Sequence, residues 1–596
     1  MATLISRTYT EFRGIDLLNP ANSVDLRRSP DLKNVWKSYD KTESNMIETR
    51  PGFRKLIKLG EEQIYSIYAY SRDTALVHIG NKLIKWVGFP AEDISREVIF
   101  ENMNEKESVL FWFKDYVYII DGVNYLRFDG EKVIDVRSIA YIPITSVSRA
   151  PSGGGDEVED VNLLQPQRIN QFVGDGTSVD YYLDSTNIDS IEEVIVNDEV
   201  VTDYTVNLLV GKVTFTTAPA APVHSGESNV KIRYSKLITD YAERILNCTI
   251  ITLYDNRVFF SGNKDFPNAV FHCSLNNPAY ISDLDYYECG SQKNPIKDVV
   301  VGNDVLWILK EENENKDTIF YLQKDTDVDY GRIYPVNQGN ISVGCNSKAF
   351  NFKDNIVFLS REGLEGISGN IQYEQSVEHR SSMVDSKMIN MSNYDFARMT
   401  EYRGYLMVFI DNTIFLADSR QLFKGPIGTE YEWYIWELPV NVSVLRKYKD
   451  DLYFGDDKGS IYVFAGTNDN GEAIESYWTT PRDAFGQINH LKNTNKRGAM
   501  LKVKNIPNSK VKIAVKTNNE NEYELIKEAS SSGFDFGNID FENFSFETGD
   551  NSYVVFRCKK KKFIDISLKV FSDEIDKSFG LLSISLEAFL GGYVKR

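Results

Sequence analysis

The stretch Phe113–Phe128, FKDYVYIIDGVNYLRF, contains the pattern that decides the fold of this chain. A polar turn around Asp115 is followed by a short strand of aromatic and β-branched residues, then by a second turn and a second strand. Asp, Asn and Gly accept the backbone angles of tight hairpins, and aromatic and β-branched side chains pack well on a pleated surface. The stretch is therefore predicted to form paired β-hairpin strands.

The same pattern occurs seven times along the chain. Most first-turn anchors are separated by 42 to 51 residues, about the length of one four-stranded propeller blade. The anchors are Asp73, Asp115, Asp255, Asn303, Asp354, Gly404 and Asp450. We predict an all-β fold, with a β-propeller of about seven blades; six or eight blades stay open. The competing interpretation is a run of β-meanders in separate sandwiches.

One interval is too long for a single blade. Asp115 and Asp255 are 140 residues apart, and the excess follows the glycine-rich stretch Pro151–Glu157, which is typical of a flexible linker. Val230, Ile232 and Tyr234 alternate with polar residues, as in a half-buried strand. We predict an inserted β-sandwich over 160–238, with its strands between about 165 and 236.

The predicted domain order follows from these boundaries. Residues 1–60 form an N-terminal arm, 61–150 the first part of the propeller and 240–467 its remainder, and 468–596 a C-terminal β-sandwich. Within the arm, Ser29, Pro30 and Asp31 suit the start of a helix. A short helix is therefore predicted over Pro30–Lys37, then a strand and a turn at Pro51-Gly52.

Composition restricts the partners of the chain. The 596 residues carry a net charge of −19, so tight DNA binding is not expected, because DNA-binding proteins use Lys and Arg to replace phosphate counterions. The five cysteines form no CxxC pair and fit free thiols in a reducing cytoplasm. The N-terminus lacks the apolar region of an export signal, and the apolar runs are too short to span a membrane.

Motifs for catalysis, cofactors and metals are absent from the sequence, so we predict no enzyme, cofactor or metal site. The five histidines, His78, His224, His272, His379 and His490, show no metal-ligand spacing, and no GxSxG or phosphate-binding loop occurs. Asp456–Gly459 and Asn468–Gly471 fit hairpin turns better than calcium loops. The basic run Lys559–Lys562 fits a solvated strand end; contact with DNA or an acidic neighbouring subunit is the alternative.

The N-terminal order FRGIDLLNPANSVDLRRSPDLKNVW … ETRPGF resembles the start of phage tail nozzle and packaged-DNA stabilization proteins. The family positions are filled here by Gly14, Pro20, Arg28, Pro30, Asn34, Arg50 and Pro51. The family's paired glycine is reduced to Gly14, and its glycine before the Arg-Pro strand is missing. FVGDGTSVDYYL and YWTTPRDAFGQINHLKNTNKR are similar to other phage virion modules.

The resemblance implies a virion structural subunit in a ring, commonly six-fold, at the end of the portal–tail channel of a short-tailed phage. There it would form the DNA exit conduit and a gate, after assembly in the host cytoplasm. Its partners would be further copies of itself, portal, adaptor or other tail proteins, and genomic DNA as non-specific passing cargo. The alternatives are a tail-tip or head-surface protein that binds host glycan and a tailspike-type glycosidase.

Overall fold

The computed structural model describes residues 3–37, 39, 46–91, 95–314, 317–324, 334–339, 341–370, 374–425, 428–504, 506, 509–530 and 551–594. The fold is all-β. Its α-helices within these ranges are two single turns, α1 (Glu243–Leu246) and α2 (Asp385–Met388). The chain divides into two compact units, of which unit 1 comprises 1–79, 86–95 and 345–596 and unit 2 comprises 80–85 and 96–344.

The N-terminal region consists of seven short strands: β1 (Leu4–Tyr9), β2 (Gly14–Ile15), β3 (Arg28–Ser29), β4 (Leu32–Lys33), β5 (Val35–Lys37), β6 (Ile47–Thr49) and β7 (Phe53–Lys58). The predicted helix over Pro30–Lys37 is therefore wrong. Leu32 and Lys33 instead pair with Trp478 and Tyr477, and β5 pairs with β6. Ser29 Oγ donates to the carbonyl of Thr479, so long-range pairing outweighs the local helix signal.

Two four-stranded antiparallel sheets come next in the sequence. Their order is β11-β10-β9-β8 and β12-β13-β14-β15. The strands are β8 (Ile64–Ala69), β9 (Thr74–Ile79), β10 (Lys82–Val87), β11 (Arg96–Phe100), β12 (Val109–Phe113), β13 (Tyr116–Ile120), β14 (Tyr125–Phe128) and β15 (Val133–Asp135).

Residues 144–235, in unit 2, form two sheets, β17-β16-β18-β24-β20-β21 and β19-β23-β22, around one cluster of buried apolar side chains. Two of these strands, β16 and β17, precede residue 160, where the β-sandwich is predicted to begin. β17 directly follows the glycines of the glycine-rich stretch and pairs with β16. The strands are β16 (Ile144–Arg149), β17 (Asp156–Glu157), β18 (Gln167–Phe172), β19 (Asp180–Tyr182), β20 (Ser190–Val196), β21 (Glu199–Val200), β22 (Tyr204–Asn207), β23 (Lys212–Phe215) and β24 (Val230–Ser235).

Three more four-stranded sheets follow in sequence order, each built from four consecutive strands. They are β25 (Ile250–Tyr254), β26 (Arg257–Ser261), β27 (Ala269–His272), β28 (Tyr286–Glu288), β29 (Ile296–Gly302), β30 (Val305–Lys310), β31 (Ile319–Gln323), β32 (Val336–Gln338), β33 (Ala349–Phe352), β34 (Asn355–Leu359), β35 (Leu364–Asn370) and β36 (Glu374–His379).

The last two four-stranded sheets differ in how they are completed. One has the order β37-β38-β39-β40; the other is β41-β42-β43-β7, so its fourth strand comes from the N-terminal region. Phe464 of β43 faces Phe53 of β7 in that pairing. The strands are β37 (Arg398–Tyr402), β38 (Tyr405–Ile410), β39 (Thr413–Gly425), β40 (Gly428–Glu437), β41 (Val444–Tyr448), β42 (Asp451–Gly455) and β43 (Ser460–Phe464).

The C-terminal strands also combine with N-terminal ones. One sheet has the order β48-β45-β51-β6-β5, with β1 on β51 and β49 on β45, and the other is β4-β44-β50-β46-β47. The strands are β44 (Ser476–Thr479), β45 (His490–Lys504), β46 (Lys510–Thr517), β47 (Glu524–Ser530), β48 (Asn551–Phe556), β49 (Lys561–Phe563), β50 (Ile566–Ser572) and β51 (Gly580–Tyr593).

The seven predicted anchors all lie in the turn between the first two strands of a four-stranded sheet. Asp255 and Asn303 themselves have positive φ angles, of 46° and 55°, and Gly404 has 80°. These are the left-handed conformations that Asp, Asn and Gly tolerate. The repeat therefore predicted the position of each of these turns, although in two of them Lys114 and Lys449, and not the neighbouring Asp anchors, have the positive φ angle.

Candidate functional site

Four of the seven residues of the N-terminal resemblance contact strand β40 or the loop at Asp469, in unit 1. Gly14 of β2 has a φ of 129° and lies against Trp433, where an added Cβ would come within 2.5 Å of the Trp433 carbonyl oxygen. Such an approach and such a φ angle both favour glycine. Gly14 therefore fixes how closely the arm lies on β40.

Arg28 makes the second contact with β40. Its Nε donates to Glu432 Oε2 at 2.9 Å and its Nη2 to Oε1 at 2.7 Å, while the guanidinium lies 4.1 Å from the ring centroid of Phe423. The Glu432 side chain is fully buried. A bidentate pair of this kind fixes the orientation of the two side chains as well as the distance between them.

Asn34 and Arg50 form the third contact and are completely enclosed. Arg50 donates from Nη1 and Nη2 to the two carboxylate oxygens of Asp469, at 2.8 and 2.6 Å, and from Nε to Asn34 Oδ1 at 2.9 Å. Asn34 Oδ1 also accepts the backbone N–H of Glu437, at the end of β40. Asn34 Nδ2 donates to the carbonyl of Glu475, so one amide connects three segments of the chain.

We call this set the N-terminal junction: Gly14, Arg28, Asn34 and Arg50 with Glu432, Trp433, Glu437 and Asp469. The Pro51 carbonyl accepts from Arg50 Nη1, so Pro51 borders it. Pro30 lies between β3 and β4. Pro20 is exposed, and its carbonyl accepts from Ser23 in a separate turn.

Sequence reasoning missed the partner residues of the junction. Glu432 lies in an ordinary β-strand pattern, and Asp469 was interpreted only as part of an acidic turn. Both are about 400 positions from the arginine they bind. A pairing signal at that separation is not present in a single sequence.

His379, in unit 1, lies between two carboxylates. His379 Nδ1 lies 2.9 Å from Glu365 Oε1, and Nε2 lies 2.6 Å from Asp385 Oδ2. Burial lowers the pKa of His379, but hydrogen bonds to Asp385 and Glu365 outweigh it and raise the pKa to about 10. Because both ring nitrogens bind carboxylates, neither is available to a hydroxyl nucleophile in this arrangement.

The other sequence candidates also have structural partners. The Asp456 carboxylate accepts backbone N–H groups of Lys458 and Ser460 in its own turn. Lys560, in the basic run, is buried and binds Glu520 and Glu524, whereas Lys559, Lys561 and Lys562 are exposed. The five cysteines are buried and free.

The described ranges lack two kinds of feature. None of their His, Cys, Asp and Glu side chains form a group of three or more that could hold a metal ion. None of their helices is long and apolar enough to cross a bilayer.

Comparison with known proteins gave only distant structural likenesses. No protein family and no curated protein matches the sequence. BamB from Moraxella catarrhalis is similar at 10% identity and a TM-score of 0.31, over 69% of this chain and 97% of that one. YCF48 bound to D1 peptide is similar at 7% identity and a TM-score of 0.32, over 70% of this chain and 97% of that one.

The extracellular domain of the one component system BT4673 from B. thetaiotaomicron gives 10% identity and a TM-score of 0.36. That match covers 84% of this chain and 58% of the other. At these identities and TM-scores, the likenesses carry no argument about the function of this chain.

Proposed function

We propose that this chain is a structural subunit of a phage virion, a tail nozzle subunit that forms a ring-shaped conduit and gate for DNA retention and ejection. The observation that carries the proposal is the N-terminal junction. Four of the seven positions on which the family resemblance rests are used together, in contacts to one strand and the loop at Asp469. Proteins that share an architecture are expected to use the residues of a shared sequence pattern in the same buried contacts.

The architecture we propose is a seven-bladed β-propeller made of the seven four-stranded sheets. The last blade would be closed by β7, which supplies the fourth strand beside β43. The two sheets between β16 and β24 would be an inserted β-sandwich, and the sheets built around β45 and β46 would be the C-terminal one. A rigid block of this kind suits the wall of a ring.

The charge of the chain supports a conduit rather than a DNA clamp. With 86 acidic and 67 basic residues, the surface repels a polyanion on average. A lumen of the same sign as DNA would not hold the passing genome, so the polymer could slide. Further copies of the chain, portal or adaptor proteins and transient genomic DNA are the partners of this proposal, and no enzymatic activity is part of it.

Negative-stain electron microscopy of the purified chain tests the proposal. A six-fold ring around an open channel is the expected result, and the same ring should be located at the tail end of intact virions. A monomer or a trimer without a channel would contradict it. A parallel turnover assay on host polysaccharide separates the proposal from the glycosidase alternative, since a conduit subunit should release no sugar.

A further inference from the structure

A cleft in unit 2 lies where the chain enters and leaves the insertion. Its volume is about 780 Å³. Three segments line it: 135–142 after β15, 161–168 leading into β18, and 236–243 following β24. This volume is in the range of small-ligand sites.

Arg168 is the unusual residue of this cleft. Its exposed fraction is only 5%, yet it forms no ion pair with any described residue. Its Nη2 donates to the Lys236 carbonyl at 3.2 Å, and its Nε has no hydrogen-bond partner within the described ranges. A guanidinium offers five N–H donors, and a buried charge is costly unless it is paired. An anion is therefore the group that would complete this site.

Two further carboxylates, Asp240 and Glu243, line the cleft, but both are exposed and form no ion pair with a described residue, so Arg168 stays available. Arg137 is already bound to Asp135, with Nε and Nη2 both donating to its Oδ2, at 2.9 and 2.6 Å. Asp283, an acidic residue near Arg168, accepts the hydroxyl of Tyr241 at 3.1 Å. Lys236 lines the cleft and forms no ion pair in the part of the chain that the structure describes.

The remaining wall combines aliphatic side chains with polar ones such as Gln165, Gln167 and Thr239. Three leucines line it: Leu163 and Leu164 are buried, and Leu237 is 69% exposed. Tyr241 is its single aromatic side chain. Sugar rings favour flat aromatic surfaces, whereas an aliphatic wall favours a flexible apolar body.

We propose that this cleft binds a carboxylate attached to an aliphatic body, with Arg168 and Lys236 holding the carboxylate and the leucine-lined wall holding the body. The carboxylate belongs either to a free small acid or to an acidic residue flanked by apolar residues in a polypeptide. Both present the same group to Arg168. The inference is independent of the tail nozzle proposal.

Ligand-observed NMR titration of the full chain tests the site with hexanoate and with acetyl-Leu-Glu-Leu-amide. The neutral controls are hexanamide and acetyl-Leu-Gln-Leu-amide. Saturable binding of at least one acid is expected, about tenfold or more tighter than its neutral analogue, because hydrogen bonds to charged groups are stronger than neutral ones. Tighter binding of the acidic peptide would identify a polypeptide source, and tighter binding of hexanoate a free acid.

Arg168→Met should weaken acid binding about tenfold or more, on the same physical grounds. Arg149→Met is the matched control, because Arg149 is also buried in the insertion but bonds Ser146 and Tyr182 outside the cleft. Lys236→Ala tests the site without altering a buried residue and should also weaken binding. If no acid binds the wild-type chain, or if folded Arg168→Met and Lys236→Ala variants bind acids as the wild type does, the site is refuted.

Discussion

Removal of Arg50 should cost unit 1 a large part of its stability. The Arg50→Met variant loses two charge-assisted hydrogen bonds to Asp469 and one to Asn34. It also leaves the Asp469 carboxylate, whose side chain is 4% exposed, without its partner. Breaking a buried ion pair from one side costs about 3–5 kcal/mol, and we expect a loss of unfolding free energy in that range.

The matched control is the exposed pair between Arg27 and Asp25. It is also bidentate, through Nε and Nη2 of Arg27 at 3.0 and 2.8 Å, but both side chains are about 40% exposed. Arg27→Met should therefore cost less than about 1 kcal/mol. Both variants remove a bidentate Arg–Asp pair, and the main difference between the two pairs is burial.

Urea unfolding with hydrogen exchange read by mass spectrometry measures the two variants. Peptides from β40 and from residues 465–470 report on the N-terminal junction itself, which matters because the chain has two compact units. Adding Asp469→Leu to Arg50→Met should recover part of the loss, since it removes the unpaired carboxylate. Equal stability losses for Arg50→Met and Arg27→Met would refute the reasoning.

Two further predictions concern the same unit. Gly14→Ala should destabilise the arm by at least about 1 kcal/mol, through the Trp433 contact and backbone strain; Gly471→Ala, in the same unit at a φ of 95° with no atom within 4 Å, is the control for strain alone, and equal thermal shifts would exclude a role for the contact. Because the folded pKa of His379 is raised to about 10, its stabilisation should be complete below the unfolded pKa of about 6.5 and lost as pH rises toward 10. His379→Gln should flatten the dependence of unfolding free energy on pH in that window, and a slope that survives in this variant would contradict the assignment.

The parts of the fold that are determined by residues close together in the sequence could be predicted from the sequence. Asp255 and Asn303 lie in turns because their side chains tolerate left-handed backbone, and that property is local. The helix over Pro30–Lys37 failed because the same residues are held by strands β44 and β6, from distant parts of the chain. Local propensity gives way when distant strands satisfy the backbone.

The candidate sites were less accessible to sequence reasoning. Arg50 and Asn34 were singled out by resemblance, but their joint role depends on Asp469 and Glu437, which no spacing rule connects to them. Arg168 was not singled out at all, because a lone arginine in a strand normally points to solvent. Its burial without a carboxylate partner becomes visible only when three chain segments are brought together.

The pairing of β7 with β43 has a consequence for biosynthesis. Phe53 cannot pair with Phe464 until Phe464 has been synthesised, and roughly 400 residues are translated between the two. At ordinary ribosomal speeds of ~5–20 residues per second, the early strand spends on the order of half a minute without its partner. During that interval an unpaired edge is open to aggregation, and chaperone dependence during expression should be greatest before residue 464 emerges.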